Sequence, residues 1–167
     1  MGRILFIADT HFGDNNIIRY ENRPFVNAQA MDYYIIRDWN NNVHQDDIVY
    51  VVGDFGADGY EEKVLSELNG HKYLIKGNHD IKSNEYYRNV GFKEVYDHPI
   101  ILDNFWIVSH EPMYMNRNMP YANIFGHVHG SQLYKDYSAQ HYCVSYERIK
   151  TPIDFKTIKE TVINMNK

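Results

Sequence analysis

Five short apolar runs in this chain each end in a cluster of carboxylate, amide or imidazole side chains. The run at residues 4–8 leads directly into Asp9 and His11. Short runs of β-branched and aromatic residues are typical of buried strands, and open α/β sheets place their ligand sites at the carboxyl ends of such strands. The other four clusters are Gly53-Asp54, Gly77-Asn78-His79-Asp80, Ser109-His110 and Gly126-His127-Val128-His129-Gly130.

No single cluster is strong evidence by itself. The chain has nine histidines in 167 residues, and a shuffled chain of that composition would contain a His-x-His about half the time. The position of each cluster at the end of an apolar run is what chance does not explain. The prediction of a binding site therefore rests on the five clusters together.

The residue types in the clusters are those of a transition-metal site. Carboxylate oxygen and imidazole nitrogen suit Mn, Fe, Zn, Co or Ni, whereas sites built from oxygen alone favour Mg or Ca. Asp54 can offer one oxygen to each of two ions about 3.5–4 Å apart. His127 and His129 point to one face of an extended segment. We expect two divalent transition-metal ions, with manganese first and Fe, Zn, Ni and Co as alternatives.

The ordered set of clusters resembles the calcineurin-like metallophosphoesterase superfamily, from residue 4 to about residue 158. The segment 9–13, followed by 16–18 and 23–25, resembles a small bacterial and phage branch of it. The resemblance implies an α/β (α+β) fold, a four-layer αββα sandwich of two mixed sheets flanked by helices. It also implies a ligand set in which Asp54 bridges two ions, one held by Asp9, His11 and His129 and the other by Asn78, His110 and His127.

The same resemblance implies a phosphoester hydrolase. A hydroxide between two cations is a strong nucleophile at neutral pH and would attack phosphorus in line. His79 would stand outside the metal ligands and protonate the leaving alkoxide or bind the phosphate; as an alternative it is an unliganded turn histidine. Asp80 would orient the turn or hold a histidine tautomer.

The expected substrate is a small phosphodiester or phosphomonoester. The net charge of −5 and the dispersed Lys and Arg disfavour a nuclease that tracks duplexes. Ala57, in place of an aspartate with a following Arg-Gly, disfavours a Ser/Thr protein phosphatase. Two alternatives stay open. One is a nuclease on short single strands, with stacking on Tyr114 or Tyr121, and the other is a non-catalytic metal-binding scaffold.

Composition predicts one globular domain, residues 1–167, with 44% hydrophobic residues. The lone Cys143 excludes an intramolecular disulfide and fits a reducing cytosol as a small buried hydrophobe. The apolar run before Asp9 is too short for a signal peptide or membrane span. We therefore expect a cytoplasmic protein with no membrane partner, without fixing its oligomeric state.

Periodicity and turn residues predict the remaining elements. Apolar spacing indicates helices over 25–43, 58–68 with Asp58 as its cap, and 154–163. Two strands broken by Asp103-Asn104 indicate a hairpin within 94–109. The segment 12–19 and the irregular segment 110–121 are expected to be loops. In the second loop, Met113, Met115 and Tyr121 either line an apolar pocket or cover the core.

Three arginines are candidate anion contacts for the substrate, namely Arg19, Arg23 and Arg117; as ordinary surface residues they would need no explanation. Asp14 stands where related sequences often have a histidine, and a carboxylate there would repel an anionic substrate unless it is paired or turned away. Four further histidines have no motif partner and are expected to be structural: His44, His71, His98 and His141.

Overall fold

Two β-sheets form the centre of the protein in the computed structural model, which describes residues 2–116, 118–134 and 139–165. Their strands are β1 (Ile4–Ile7), β2 (Ile48–Val51), β3 (His71–Ile75), β4 (Glu94–Tyr96), β5 (Ile100–Leu102), β6 (Trp106–Ser109), β7 (Ala122–Phe125), β8 (His141–Cys143) and β9 (Ile153–Asp154). The five-stranded sheet has the order β4-β3-β2-β1-β9, and the four-stranded sheet has the order β5-β6-β7-β8.

Both sheets are mixed. Strands β1 to β4 run parallel, and β9 pairs antiparallel with β1. In the second sheet β6, β7 and β8 run parallel and β5 is antiparallel to β6. Parallel strands bring their carboxyl ends to one edge, so the polar segments that follow β1, β2 and β3 meet there. Those that follow β6 and β7 meet likewise at the edge of the other sheet.

Within the described residues, six α-helices and one 3-10 turn accompany the sheets. They are α1 (Asn15–Tyr20), α2 (Ala28–Asn42), α3 (Glu61–Glu67), α4 (Asn84–Val90), the 3-10 turn Gln132–Tyr134, α5 (Tyr146–Ile149) and α6 (Phe155–Met165). The predicted architecture of two mixed sheets flanked by helices is confirmed. No helix within the described ranges is long and apolar enough to span a membrane.

The core lies on both faces of the five-stranded sheet. Leu5 and Ile7 of β1 pack on one face with Met31, Ile35 and Trp39 of α2. On the other face, Phe6 of β1 packs against the second sheet and α6. The cluster between the two sheets includes Phe6, Val52, Ile75, Val108, Ile124, Phe155 and Ile158. Burial on both faces explains why the strands read as continuous apolar runs instead of alternating ones.

The three predicted helices are present, with one error at a boundary. Helix α2 lies within 25–43 and begins after Asn27, whose side chain accepts a hydrogen bond from the Ala30 N–H. Helix α6 covers most of 154–163. Helix α3 lies within 58–68, but it begins at Glu61 without a side-chain cap. The predicted cap at Asp58 is wrong, because that carboxylate forms an ion pair with Lys82 at 3.0 Å.

The predicted hairpin is confirmed for β5 and β6. Asp103 and Asn104 both have a left-handed backbone, with φ of 52° and 54°, as a tight turn between antiparallel strands requires. Strand β4 belongs to the other sheet, where it pairs with β3. Among the described residues of 110–121, no helix or strand forms, and the next strand, β7, begins at Ala122.

The segment 12–19 is not wholly a loop, since it contains most of helix α1. Asp14 precedes that helix, and its side chain accepts a hydrogen bond from the Asn16 N–H at 2.7 Å. A carboxylate at this position satisfies a free amide of the first turn. The structure thus gives Asp14 a local structural role.

The pKa of Asp47, just before β2, links the stability of the fold to pH. Burial alone would raise its pKa, but hydrogen bonds from the Arg3 guanidinium and the N–H groups of His44 and Arg3 lower it to about 2. A lowered pKa stabilises the fold above the unfolded-state value near 4, and this contribution disappears as the pH falls from about 4 to about 2.

We expect Asp47→Asn to lower the free energy of unfolding by about 1–2 kcal/mol at neutral pH, a value discounted for solvent screening because the Arg3 side chain is 38% exposed. Urea unfolding at pH 7 and at about pH 2.5 would measure the loss at each pH. The loss should shrink at the lower pH. Asp46→Asn, at the exposed neighbouring position, is the control; an equal loss in both variants would contradict the prediction.

Candidate metal centre

The side chains predicted as ligands come together between the carboxyl ends of the two sheets. Asp54 lies at the middle of the set. Its Oδ2 is 3.3 Å from His110 Nε2 and 3.7 Å from His11 Nε2. The other predicted ligands lie in two groups on either side of it. This is the arrangement that a carboxylate shared between two cations requires.

The first group contains Asp9, His11 and His129. One donor atom from each lies within 4.8 Å of the others, and His129 Nε2 is 4.0 Å from Asp9 Oδ1. His11 Nε2 is buried, and it has no hydrogen-bond partner among the described residues. A buried ring nitrogen normally has such a partner. A metal ion bound to this group would satisfy it, so the residues fit the cation predicted here.

The second group contains Asp54, His110 and His127, again with donor atoms within 4.8 Å of one another. Asn78 completes it, because its Oδ1 is 3.1 Å from both His110 Nε2 and His127 Nδ1. The Val52 carbonyl lies 2.9 Å from His110 Nδ1. A proton on Nδ1 therefore leaves Nε2 free to act as a ligand.

Burial determines the charge states of Asp9 and His11 in the first group. It raises the pKa of Asp9 to about 6 and lowers the pKa of His11 to about 4, because each charged form loses hydration. His11 is therefore neutral at pH 7, which is the form that binds a metal.

In the second group the charges of His110 and Asp54 stabilise each other. Burial would lower the pKa of His110, but the hydrogen bond and the charge of Asp54 raise it to about 9. Burial would likewise raise the pKa of Asp54, and His110 holds it at about 2. A divalent cation would take the place of the His110 proton.

The backbone of the centre is strained. Five of the predicted ligands have a left-handed φ, between 48° and 67°. Each such residue costs on the order of 1 kcal/mol or more, and persists only where its surroundings impose it. These five residues are Asp9, His11, Asp54, His127 and His129.

Gly126 and Gly130, which flank the His-x-His segment, differ in the space around them. A Cβ on Gly126 would lie 2.5 Å from the Ala8 Cβ, 2.9 Å from Asp9 Oδ2 and 3.1 Å from the Val52 carbonyl, whereas a Cβ on Gly130 would make only ordinary contacts. We expect Gly126→Ala to displace Asp9, to lower the free energy of unfolding by about 1–3 kcal/mol and to reduce metal uptake. Elemental analysis and thermal unfolding measure both effects. Gly130→Ala is the matched control, and equal behaviour of the two variants would refute the prediction.

Asp80 is buried behind the centre and ties two of its loops together. Its carboxylate accepts hydrogen bonds from the N–H groups of Asp54 at 2.7 Å, Gly77 at 2.8 Å and Phe55 at 3.2 Å. Of the two roles predicted for Asp80, these contacts fit the orientation of the turn.

His79 lies at the solvent side of the first group. It is exposed, and its ring centroid is 5.3 Å from that of His11. Its backbone N–H donates to Asp54 Oδ1 at 2.9 Å. The side chain is thus beside the centre without a place in either ligand group, and its proton-donating role stays a prediction.

The sequence matches the family model of the calcineurin-like phosphoesterases over residues 2–156. The chain belongs to the calcineurin-like phosphoesterase family. This agrees with the architecture and with the two donor groups described above; a third set of candidate donor atoms comes from Glu21, His129 and Glu147. Membership in this family indicates a phosphoester hydrolase that uses divalent metal ions.

Individual relatives of this chain give less information about its function than the family does. An uncharacterised protein of Methanocaldococcus jannaschii is 45% identical over 84 residues, which are 48% of each chain. The chain thus spans about half the length of this curated relative. A protein of unknown function from Aquifex aeolicus has a similar structure, with a TM-score of 0.75, 23% identity and coverage of 96% of this chain and 99% of the other. The Pseudomonas putida nuclease MPE matches with a TM-score of 0.53, 22% identity and coverage of 76% and 62%. Both structural likenesses concern the fold.

The three arginines predicted to contact substrate are placed very differently. Arg23 is enclosed within the protein, with its side chain 1% exposed, and it binds Glu147 and the carbonyls of Asp9 and Thr10. The prediction of a substrate contact is therefore incompatible with the position of Arg23. Arg19 is exposed and donates to Asn16 Oδ1. Arg117 lies outside the described residues.

The loop after His110 partly covers the core. Met115 is buried, Met113 is exposed, and Tyr121 is intermediate. His141 is buried, and its Nε2 is 2.7 Å from the Met113 carbonyl, in agreement with a structural role. The free thiol of Cys143 is partly buried, and its Sγ is 3.2 Å from Ser145 Oγ.

Sequence reasoning missed Glu147. Its Oε2 lies 3.0 Å from His129 Nδ1. Burial would raise the pKa of Glu147, but the hydrogen bond to His129 and the charge of Arg23 lower it to about 2, so it is ionised. Glu147 follows β8 in the short helix α5, without a glycine or histidine beside it. No motif in the sequence indicates its contact with a ligand.

Proposed function

We propose that this member of the family is a dinuclear metal-dependent phosphoesterase that hydrolyses a small phosphodiester or phosphomonoester. The observation that carries the proposal is the closeness of the two donor groups: Asp54 belongs to the second group, and His11 Nε2 of the first group lies 3.7 Å from Asp54 Oδ2. A single-metal site would leave one group without a function. We further propose manganese as the resident metal and the cytoplasm as the compartment.

The residues of the centre have separable tasks. Two divalent ions bound here would supply a nucleophile from water at neutral pH and neutralise charge on the phosphoryl oxygens. Asp54 would fix the separation of the two groups. His79, exposed beside His11, would donate a proton to the leaving oxygen or a hydrogen bond to the phosphate.

Hydrolysis of bis-p-nitrophenyl phosphate and of p-nitrophenyl phosphate by chelator-stripped protein tests the proposal. Mn²⁺, Ni²⁺, Zn²⁺ and Mg²⁺ are added back separately, and bound metal is counted by elemental analysis. Turnover that returns with two ions per chain would support a dinuclear esterase, and the ratio of the two rates gives the preference for diester or monoester. Failure to take up any ion would refute the metal centre.

A nuclease acting on short single strands is the second candidate. Tyr114 is 77% exposed on the loop that follows His110, where it is available for base stacking, and one similar structure is that of a nuclease. End-labelled single-stranded and duplex oligonucleotides, incubated with the Mn²⁺-loaded protein, test this candidate. Cleavage of single strands that Tyr114→Ala weakens, with little effect on bis-p-nitrophenyl phosphate, would favour it.

The third possibility, a metal-binding scaffold without catalysis, would give a different outcome. Two tightly bound ions with no turnover of any of these substrates would favour it. The complete donor set fits a metal-binding scaffold as well as an enzyme, so turnover is the measurement that decides between them.

A further inference from the structure

We propose that the buried Arg23–Glu147 ion pair is a positioning device for the first donor group, and that it sets the affinity of one metal ion independently of the other. The inference rests on the proposed dinuclear centre. It concerns two residues outside the ligand set, one of which was expected to bind substrate.

Glu147 controls the orientation of the His129 ring. Its Oε2 is 3.0 Å from His129 Nδ1, and this contact directs Nε2 towards Asp9. A carboxylate in this position fixes the tautomer of a histidine ligand and raises the basicity of its other nitrogen. Arg148, the next residue, donates to the His129 carbonyl at 2.8 Å. Helix α5 therefore holds both the ring and the backbone of one ligand.

Arg23 joins this contact to a second ligand. Its guanidinium binds Glu147 Oε1, with Nη2 at 2.6 Å and Nε at 2.8 Å. The same group donates to the carbonyls of Asp9 at 2.7 Å and Thr10 at 2.8 Å, and it lies 4.7 Å from the ring centroid of Tyr146. These bonds hold Asp9 in its left-handed conformation, with φ of 58°.

The two donor groups are supported in different ways. The His129 ring is held by an ionised carboxylate whose side chain is 8% exposed. In the second group, His110 is held by a neutral backbone carbonyl, and His127 is exposed. Charge-assisted hydrogen bonds are roughly twice as strong as neutral ones. Removal of the Glu147 charge should therefore weaken the first group and spare the second.

Mn²⁺ titrations of the full chain in two single-group backgrounds test the inference. His110→Ala damages the second group and leaves the first, whereas His11→Ala does the reverse. In the His110→Ala background we expect Glu147→Gln to weaken Mn²⁺ binding by about 10–100-fold. In the His11→Ala background the same substitution should change the affinity by less than about twofold.

Glu94→Gln is the matched control, since Glu94 forms an exposed ion pair with Arg88 at 2.6 Å. It should leave Mn²⁺ affinity unchanged in both backgrounds. Thermal unfolding in chelator checks that each variant folds. If Glu147→Gln does not fold, the double variant Arg23→Met/Glu147→Gln removes both buried charges together, which proteins commonly tolerate, and it should show the same selective loss.

Three results would overturn the inference. Equal weakening in the two backgrounds would show a general effect on the centre, and no weakening in the His110→Ala background would show that Glu147 does not position the ligand. If the protein without substitutions binds two ions, either result refutes this inference alone. Absence of Mn²⁺ uptake by the unsubstituted protein would refute the proposed function together with it.

Discussion

Asp54→Asn is expected to lower phosphoester turnover by about 10²–10⁴-fold and to leave the protein folded but poorly loaded with metal. The Asp54 carboxylate lies 3.3 Å from His110 Nε2 and 3.7 Å from His11 Nε2, so it faces both donor groups. The amide has nearly the same shape but no negative charge. A loss of 10²–10⁴-fold corresponds to about 3–5 kcal/mol of transition-state stabilisation, since each tenfold in rate is about 1.4 kcal/mol. Elemental analysis and kcat/KM on bis-p-nitrophenyl phosphate with added Mn²⁺ measure the two effects.

Asp58→Asn is the control for this substitution. Asp58 is four residues away, its side chain is 67% exposed and it pairs only with Lys82 among the ion pairs of the described chain. The control should keep both ions and turn over within about twofold of the unsubstituted protein. An Asp54→Asn protein with two tightly bound ions and undiminished turnover would show that Asp54 does not bridge the two groups.

The convergence of the proposed ligands could be predicted because their positions follow from local sequence patterns. Each ligand follows a strand within a few residues, and the parallel pairing of β1, β2 and β3 brings their ends to one edge. The two core clusters explain why the runs before the ligands are apolar on both faces. Strand ends, ligand chemistry and family resemblance therefore indicated the same residues.

The residues that position the proposed ligands, Glu147 and Arg23, could not be predicted in this way. Glu147 meets His129 across 18 positions of the chain, and Arg23 meets Glu147 across 124. An isolated arginine or glutamate has no periodic neighbours to reveal that it is buried, so Arg23 resembled a surface residue that could bind an anion. Its burial follows from tertiary packing against Tyr146 and Met31, which no local pattern encodes.

The start of helix α3 was also predicted wrongly from the local sequence. An aspartate before an apolar run is a common helix cap, and the sequence favoured Asp58 for that reason. The position of Lys82, 24 residues further along, gives the carboxylate a partner instead, and Tyr60 occupies the cap position. Local capping propensity is a weak preference, and here the helix begins after Tyr60 instead.

His79→Ala is expected to keep both metal ions and to lose about 10²–10⁴-fold in turnover of esters with poor leaving groups, the range typical of general acid catalysis. The side chain lies in neither donor group. The backbone N–H of His79 donates a hydrogen bond to Asp54 Oδ1 at 2.9 Å. An alanine at this position keeps that hydrogen bond. Metal binding and catalysis should therefore separate in this variant, unlike in Asp54→Asn.

The leaving group distinguishes proton donation from simple binding of the phosphate. A p-nitrophenolate needs little protonation, so a general acid should matter far less for its ester than for an alkyl ester of the same phosphate. A histidine that only binds the phosphate would affect both esters equally. His98→Ala, at an exposed position away from the donor groups, is the control and should change neither rate. A His79→Ala protein with full activity on the alkyl ester would exclude the general-acid role and leave His79 as a residue of the turn.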